Sequence, residues 1–279
     1  MSILVFSFVI LGGSIFAGLI GSLTGLGGGV IIIPLLNYLG IDFHYAIGTA
    51  LVAVIATSSG SAAAYVKEGV SNMRIGMFLE IATTMGAVCG ALLVASKLVP
   101  TTIVAIIFGL ILILSAVNSL RKNVEPNEKI SSKLASKLKL NGSYPISHDR
   151  TLTYGVKNVI GGFFVMILAG ILSGLLGIGS GAMKVIAMDN IMRIPFKVST
   201  TTSNFMIGVT AAAGAFIYLQ KGYINPQLCM PVVLGVLIGA IIGAGILLKS
   251  ETKKLRLIFS ILILMVAIDM IYKGFTGGI

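Results

Sequence analysis

A glycine-rich stretch occurs twice in this chain, both times inside apolar sequence, and it limits the possible fold more than any other feature. Gly18-Leu-Ile-Gly-Ser-Leu-Thr-Gly-Leu-Gly-Gly-Gly29 aligns with Gly170-Ile-Leu-Ser-Gly-Leu-Leu-Gly-Ile-Gly-Ser-Gly181 at an offset of 152. Thr49 meets Thr201 at the same offset. After one inserted residue, Tyr65 meets Tyr218, Gly69 meets Gly222, Asn72 meets Asn225, and the pair Gly86/Gly90 meets Gly239/Gly243. Ordered agreement along so much sequence marks a duplicated unit. Each copy reads as four apolar elements: roughly 3–39, 44–66, 74–96 and 102–120, then 153–192, 197–219, 227–248 and 255–272, the first of each set broken at its glycines.

Those elements approach the roughly 20 residues a helix needs to cross a bilayer. With 56% hydrophobic and 10% charged residues, and a mean hydropathy of +1.04, the chain has too little polar surface for a water-soluble globule. The alternating strands of a membrane barrel are missing from the pattern. The sequence therefore predicts an all-α polytopic membrane protein: a repeat over 1–120, a basic cytoplasmic linker over 121–152 with a short surface helix at 129–140, and a second repeat over 153–279. Met1–Leu23 has no basic n-region and runs into the repeated motif, so it reads as mature structure rather than a cleaved leader.

The net charge of +11 does not point to nucleic acid, because the basic residues sit between apolar runs. If every element crosses once, 12 Lys and Arg fall on the linker side and seven on the other. If each broken element is a re-entrant hairpin, each half crosses three times, the halves are inverted, and the division becomes 16 and three, with Lys184 set apart. The positive-inside rule favours the inverted arrangement in an inner (plasma) membrane. Inverted halves with interrupted helices are a recurrent transporter plan.

Irregular backbone survives at membrane depth only where it is buried or faces a water-filled cavity. The helices restarting after Gly27, Gly28 and Gly29, and after Gly179, Ser180 and Gly181, would aim unpaired N–H groups and positive dipole ends at an anion. Helix packing is the competing reading of these small residues, and it suffices for Gly86/Gly90 and Gly239/Gly243. Thr49 and the run Ser199, Thr200, Thr201, Thr202, Ser203 and Asn204 could supply neutral donors, although one of the run could instead cap a helix. Thr57, Ser58, Ser59 and Ser61 fit either a second polar patch or interhelical contacts. Lys184 stands where the first copy has Ile32, and a lysine at this depth is a functional candidate. It either meets the anion, snorkels to the interface or pairs with Asp189. Glu80 is a candidate carrier of a coupling proton, or an interfacial residue. Asp42, His44 and Asp269 read as interfacial. Cys89 and Cys229 read as small buried hydrophobes. No cofactor, metal-ligand set or catalytic constellation is legible, and monomer and homodimer fit equally well.

Gly25-Leu-Gly-Gly-Gly-Val-Ile-Ile-Ile-Pro34, followed by Gly40 and Ala46-Ile-Gly-Thr-Ala50, resembles the repeated signature of the TauE/SafE sulfite-exporter family, also called the four-toluene-sulfonate uptake permeases. The resemblance covers essentially the whole chain. It implies a membrane transporter, not an enzyme, carrying small sulfur-containing anions such as sulfite, thiosulfate or an organosulfonate, with lipid and substrate as its partners. The second copy departs from the signature at Ser180, at Lys184 and at Ile186, which replaces Pro34. A passive anion channel, or a sulfur-transfer partner using Cys89 or Cys229, are the alternatives.

Overall fold

The computed structural model describes residues 3–95, 106, 109–110, 112–113, 116–117, 131–147, 150–176 and 180–276. Most of the element expected at 102–120, the linker stretch 121–130 and Gly179 lie outside these residues. The long helices are α1 (Ile3–Thr24), α3 (Phe43–Lys67), α4 (Met73–Ala95), α6 (Val159–Leu176), α8 (Phe196–Gln220), α9 (Pro226–Lys249) and α10 (Thr252–Thr276). Short helices α2 (Gly29–Tyr38) and α7 (Gly181–Ile186) follow the two glycine breaks, and α7 continues into a π-turn over Ala187–Ile191. Among the described residues, Phe6–Thr24, His44–Lys67, Phe196–Gln220 and Pro226–Lys249 are long and apolar enough to cross a membrane.

Local signals set the helix ends. Asp42 caps α3 by accepting from the His44 N–H at 2.9 Å, and Asn225 caps α9 by accepting from Gln227, with Pro226 at the first helical position. Two short helices fold back along their predecessors. A Cβ on Gly28 would sit 2.9 Å from the Ala17 carbonyl, and one on Gly13 would strike Leu35, so α2 runs antiparallel to α1. Likewise Met192, just past the π-turn, returns to Gly162 near the start of α6 and accepts from the Lys157 N–H.

Long-range packing is crossed between the halves of the chain. α1 lies chiefly on α9, α6 on α4, and α3 on α8 and α9. Glycine permits backbone contact in the first two pairs: Gly239 and Gly243 meet the carbonyls of Ile15 and Leu19, and Gly86 and Gly90 meet those of Ile167 and Ile171. Ile167 and Ile171 follow Ile15 and Leu19 by the repeat offset, and the glycines correspond as the sequence alignment pairs them. α3 and α8 run antiparallel, with Gly48 beside Tyr223, Leu51 beside Gly214, Ser58 beside Gly208, and the Val70 carbonyl at Thr201.

The linker departs from the all-α expectation. After the small helix α5 (Lys133–Lys137), capped by Ser132, strands β1 (Gly142–Ser147) and β2 (Arg150–Tyr154) pair antiparallel. This unit is docked rather than loose. Leu140, Tyr144, Tyr154 and Val156 share a buried cluster with Val70, Ile75 and Met192, and Asn72 Nδ2 donates to the Leu140 carbonyl and to the Tyr154 hydroxyl.

Candidate functional site

The end of α1 is where the first break begins. Gly25, Gly27 and Gly28 all have positive φ (76°, 81° and 70°), a region that L side chains rarely enter. The interrupted helix frees the Ser22 carbonyl, which accepts from Asn204 Nδ2 at 2.7 Å and from the Tyr65 hydroxyl at 3.0 Å. The second break arrives at the same place. A Cβ on Gly181 would stand 2.3 Å from the Gly25 carbonyl oxygen, so the two breaks touch backbone to backbone. Ser203 Oγ bridges them, 3.0 Å from the Gly25 oxygen and 3.3 Å from that of Gly181.

The polar run of α8 is wholly buried, and its two faces do different things. Thr200, Ser203 and Asn204 share one face by helical spacing, the face that meets the breaks. On the other side, Thr201 Oγ1 donates toward backbone carbonyls including Val70, and Thr202 Oγ1 accepts from the Asn72 N–H. None of the run caps α8, which starts at Phe196 with Pro195 at its N-cap; the capping reading of Ser199–Asn204 is therefore corrected. Around the breaks, Ser180 Oγ, Thr200 Oγ1 and Asn204 Oδ1 are buried with no hydrogen-bond partner. Leaving such an atom unpaired costs about 1–3 kcal/mol.

Other candidates are placed differently. Gly27 and Gly29 face Val54 and Ile207 or Ala50, so the first break's polar contact is made by Gly25 instead. Thr49 is buried near Cys229, 3.7 Å from its sulfur and more than two turns along α3 from Ser58. Ser58 Oγ donates across to the Asn204 carbonyl at 2.6 Å, while Thr57, Ser59 and Ser61 bond back to their own helix. Cys89 is exposed, contrary to its expected burial. Among the described residues no cluster of three His, Cys, Asp or Glu could hold a metal ion.

One helical turn beyond Ser180 lies a buried ion pair. Lys184, with no exposed surface, donates from Nζ to Glu80 Oε2 at 2.9 Å and to the Thr210 hydroxyl. Thr210 donates in turn to Glu80 Oε1, and Thr83 to Oε2 at 3.0 Å. Lys184 therefore neither snorkels nor pairs with Asp189. Asp189 receives a two-pronged contact from Arg256, at 2.9 and 3.2 Å, and the Arg256 guanidinium covers the Phe196 ring. Glu80 is only 7% exposed, its carboxylate engaged by Lys184 and the threonines. Gly25, Tyr65, Thr83 and Thr210 were not among the site residues expected from sequence. Tyr65 had a signal in its repeated partner Tyr218; the threonines had none.

Helices of spanning length around a buried polar centre define an α-helical membrane protein. The chain belongs to the sulfite exporter TauE/SafE family, whose model matches residues 10–270. It is 29% identical over 275 residues to the probable membrane transporter protein YunE of Bacillus subtilis, covering 95% of this chain and 97% of that protein. It is 28% identical to the probable membrane transporter protein YdhB of the same organism, over 81% and 84% of the two chains. A probable membrane transporter protein of Xylella fastidiosa is 25% identical, over 93% and 94%. No solved structure matches.

Proposed function

We propose that this membrane transporter carries a small sulfur-containing anion, of the sulfite, thiosulfate or organosulfonate type, across the inner (plasma) membrane by alternating access where the two breaks meet. The observation that carries this reading is the set of unpartnered polar atoms on Ser180, Thr200 and Asn204, contributed by the second break and by the α8 face that packs against both breaks. Two free hydroxyls can donate to an oxyanion without the desolvation of a formal charge, and Asn204 Oδ1 can accept from a protonated oxyanion or water. The family's sulfite-exporter description supports the sulfur class. Gly27, Gly28 and Gly29 hold the first tip in shape, and Gly181 does so for the second.

Inverted, re-entrant halves follow from the same reading. Three features support them: α2 folding back on α1, antiparallel α3 and α8, and the 16-to-three division of basic residues. Because packing is crossed, the bodies that rock are α1–α2 with α9 and α6–α7 with α4, not the two chain halves.

The test is flux into proteoliposomes with a panel of sulfite, thiosulfate, alkanesulfonates and carboxylates at several pH values. Saturable uptake of a sulfur anion, with the KM raised by Thr200→Ala or Asn204→Ala, is the expected result. Preference for carboxylates, or unsaturable conductance, would refute it.

A further inference from the structure

The Lys184–Glu80 pair joins α7 to α4, so its two charges come from different halves of the chain, one turn from Ser180. As it stands Lys184 offers an anion no net charge, because the carboxylate already occupies it. We infer that Glu80 and a substrate anion compete for Lys184, so that the anion is admitted to the ammonium only when Glu80 takes up a proton; this rests on the transport reading above. The proton adds to a Glu80 carboxylate oxygen, Lys184 remains an ammonium, and the anion replaces the carboxylate as its partner. For a monovalent anion no step leaves an unpaired charge in the buried site, which is the outcome such an environment penalises most. One proton therefore accompanies each anion.

Among the described residues, the surroundings leave Glu80 as the group that can take this proton. Thr83, Thr84 and Thr210 are the polar groups that contact it besides Lys184. α6, packed against α4, contains no Asp, Glu, Lys or Arg. On α8 the charged residue is Lys197, whose Nζ donates to the Leu248 carbonyl. Asp189, on the π-turn, is held by Arg256, and Arg74 at the start of α4 reaches the Lys139 carbonyl. The three hydroxyls also give the protonated carboxyl neutral partners once Lys184 has turned to the anion.

The experiment uses the full chain in proteoliposomes holding a pH-sensitive dye, with thiosulfate and an alkanesulfonate as probes, since both stay ionised across the working range and bring no protons of their own. Wild-type uptake should acidify the lumen, and a gradient of one pH unit, lumen alkaline, should accumulate the monovalent sulfonate about tenfold. Glu80→Gln removes the competitor. In detergent it should bind the anion at pH 8 on the order of tenfold more tightly than wild type, with affinity no longer dependent on pH, a gain that loss of a purely structural contact would not give. If that variant fails to fold, two readouts remain. Infrared difference spectra of the wild type should show a protonated-carboxyl band on anion addition, and Glu80→Gln/Lys184→Met, which removes both charges, should lose both binding and lumen acidification. Uptake without lumen acidification, or weaker binding by Glu80→Gln at pH 8, would overturn the coupling and leave the transport reading standing. No flux of any probe and no carboxyl band would overturn both.

Discussion

Replacing Gly181 by alanine probes the contact on which the site depends. The added methyl carbon would stand 2.3 Å from the Gly25 carbonyl oxygen and 2.8 Å from the Leu26 Cα. An ordinary carbon–oxygen approach is about 3.3 Å, so the tips must separate by about 1 Å. Both neighbours are backbone, and no side chain can swing away to absorb the shift. Overpacking of this kind costs about 1–3 kcal/mol. Ser203, now 3.0 and 3.3 Å from its two carbonyls, would lose one of them, adding about 1 kcal/mol. The expected total of about 2–4 kcal/mol should appear as a lower thermal-unfolding midpoint in detergent and as loss of most anion flux. Gly245→Ala is the control, because a methyl group there meets nothing within 4 Å and a mid-helix alanine is favoured by about 1 kcal/mol. If the two variants melt alike and both transport at the wild-type rate, the tip-to-tip contact has no part in function.

Gly28→Leu forces a branched side chain into a positive-φ position against the Ala17 carbonyl, and should abolish transport while leaving membrane insertion measurable by fractionation; normal uptake would reduce the break to a packing device. In a Cys89→Ala/Cys229→Ala background, which should itself transport normally, single cysteines at Lys221 and Lys253 should label from opposite sides of the membrane, Lys253 from inside; labelling with the sides reversed would mean parallel halves. Asp189→Asn leaves buried Arg256 without its carboxylate and should destabilise by about 3–5 kcal/mol, whereas Asp189→Leu/Arg256→Met should recover much of that in the same melt.

The helix breaks could be read from glycine and hydropathy alone, because nothing but a buried or cavity-lining site tolerates them within an apolar run. The burial of Ser199–Asn204 followed from six polar residues entering an apolar helix. What periodicity cannot supply is the identity of the helix opposite. Lys184 finds Glu80, 104 positions earlier, and Arg256 finds Asp189, 67 positions away, only because crossed packing brings those elements together. Thr49 illustrates the reverse error: its match to Thr201 is real in sequence, yet antiparallel α3 and α8 carry it off toward Cys229. In the linker, β1 contains Pro145, a residue that disfavours strands, and its alternation is too short to stand out.

Crossed packing also has a consequence for biosynthesis. The glycine-bearing face of α1 is built to lie on α9, but Thr24 leaves the ribosome long before Pro226 is made. At about 5–20 residues per second the interval is roughly 10–40 s. During it α1 sits in lipid with its backbone stripe bare, and so does α4 until α6 arrives. Among the described residues, neither half contains the helix on which its own α1 or α6 chiefly packs. A first half released early would lack the partner of α1 and fall to membrane proteolysis, whereas two halves made together from separate messages could still complete each other.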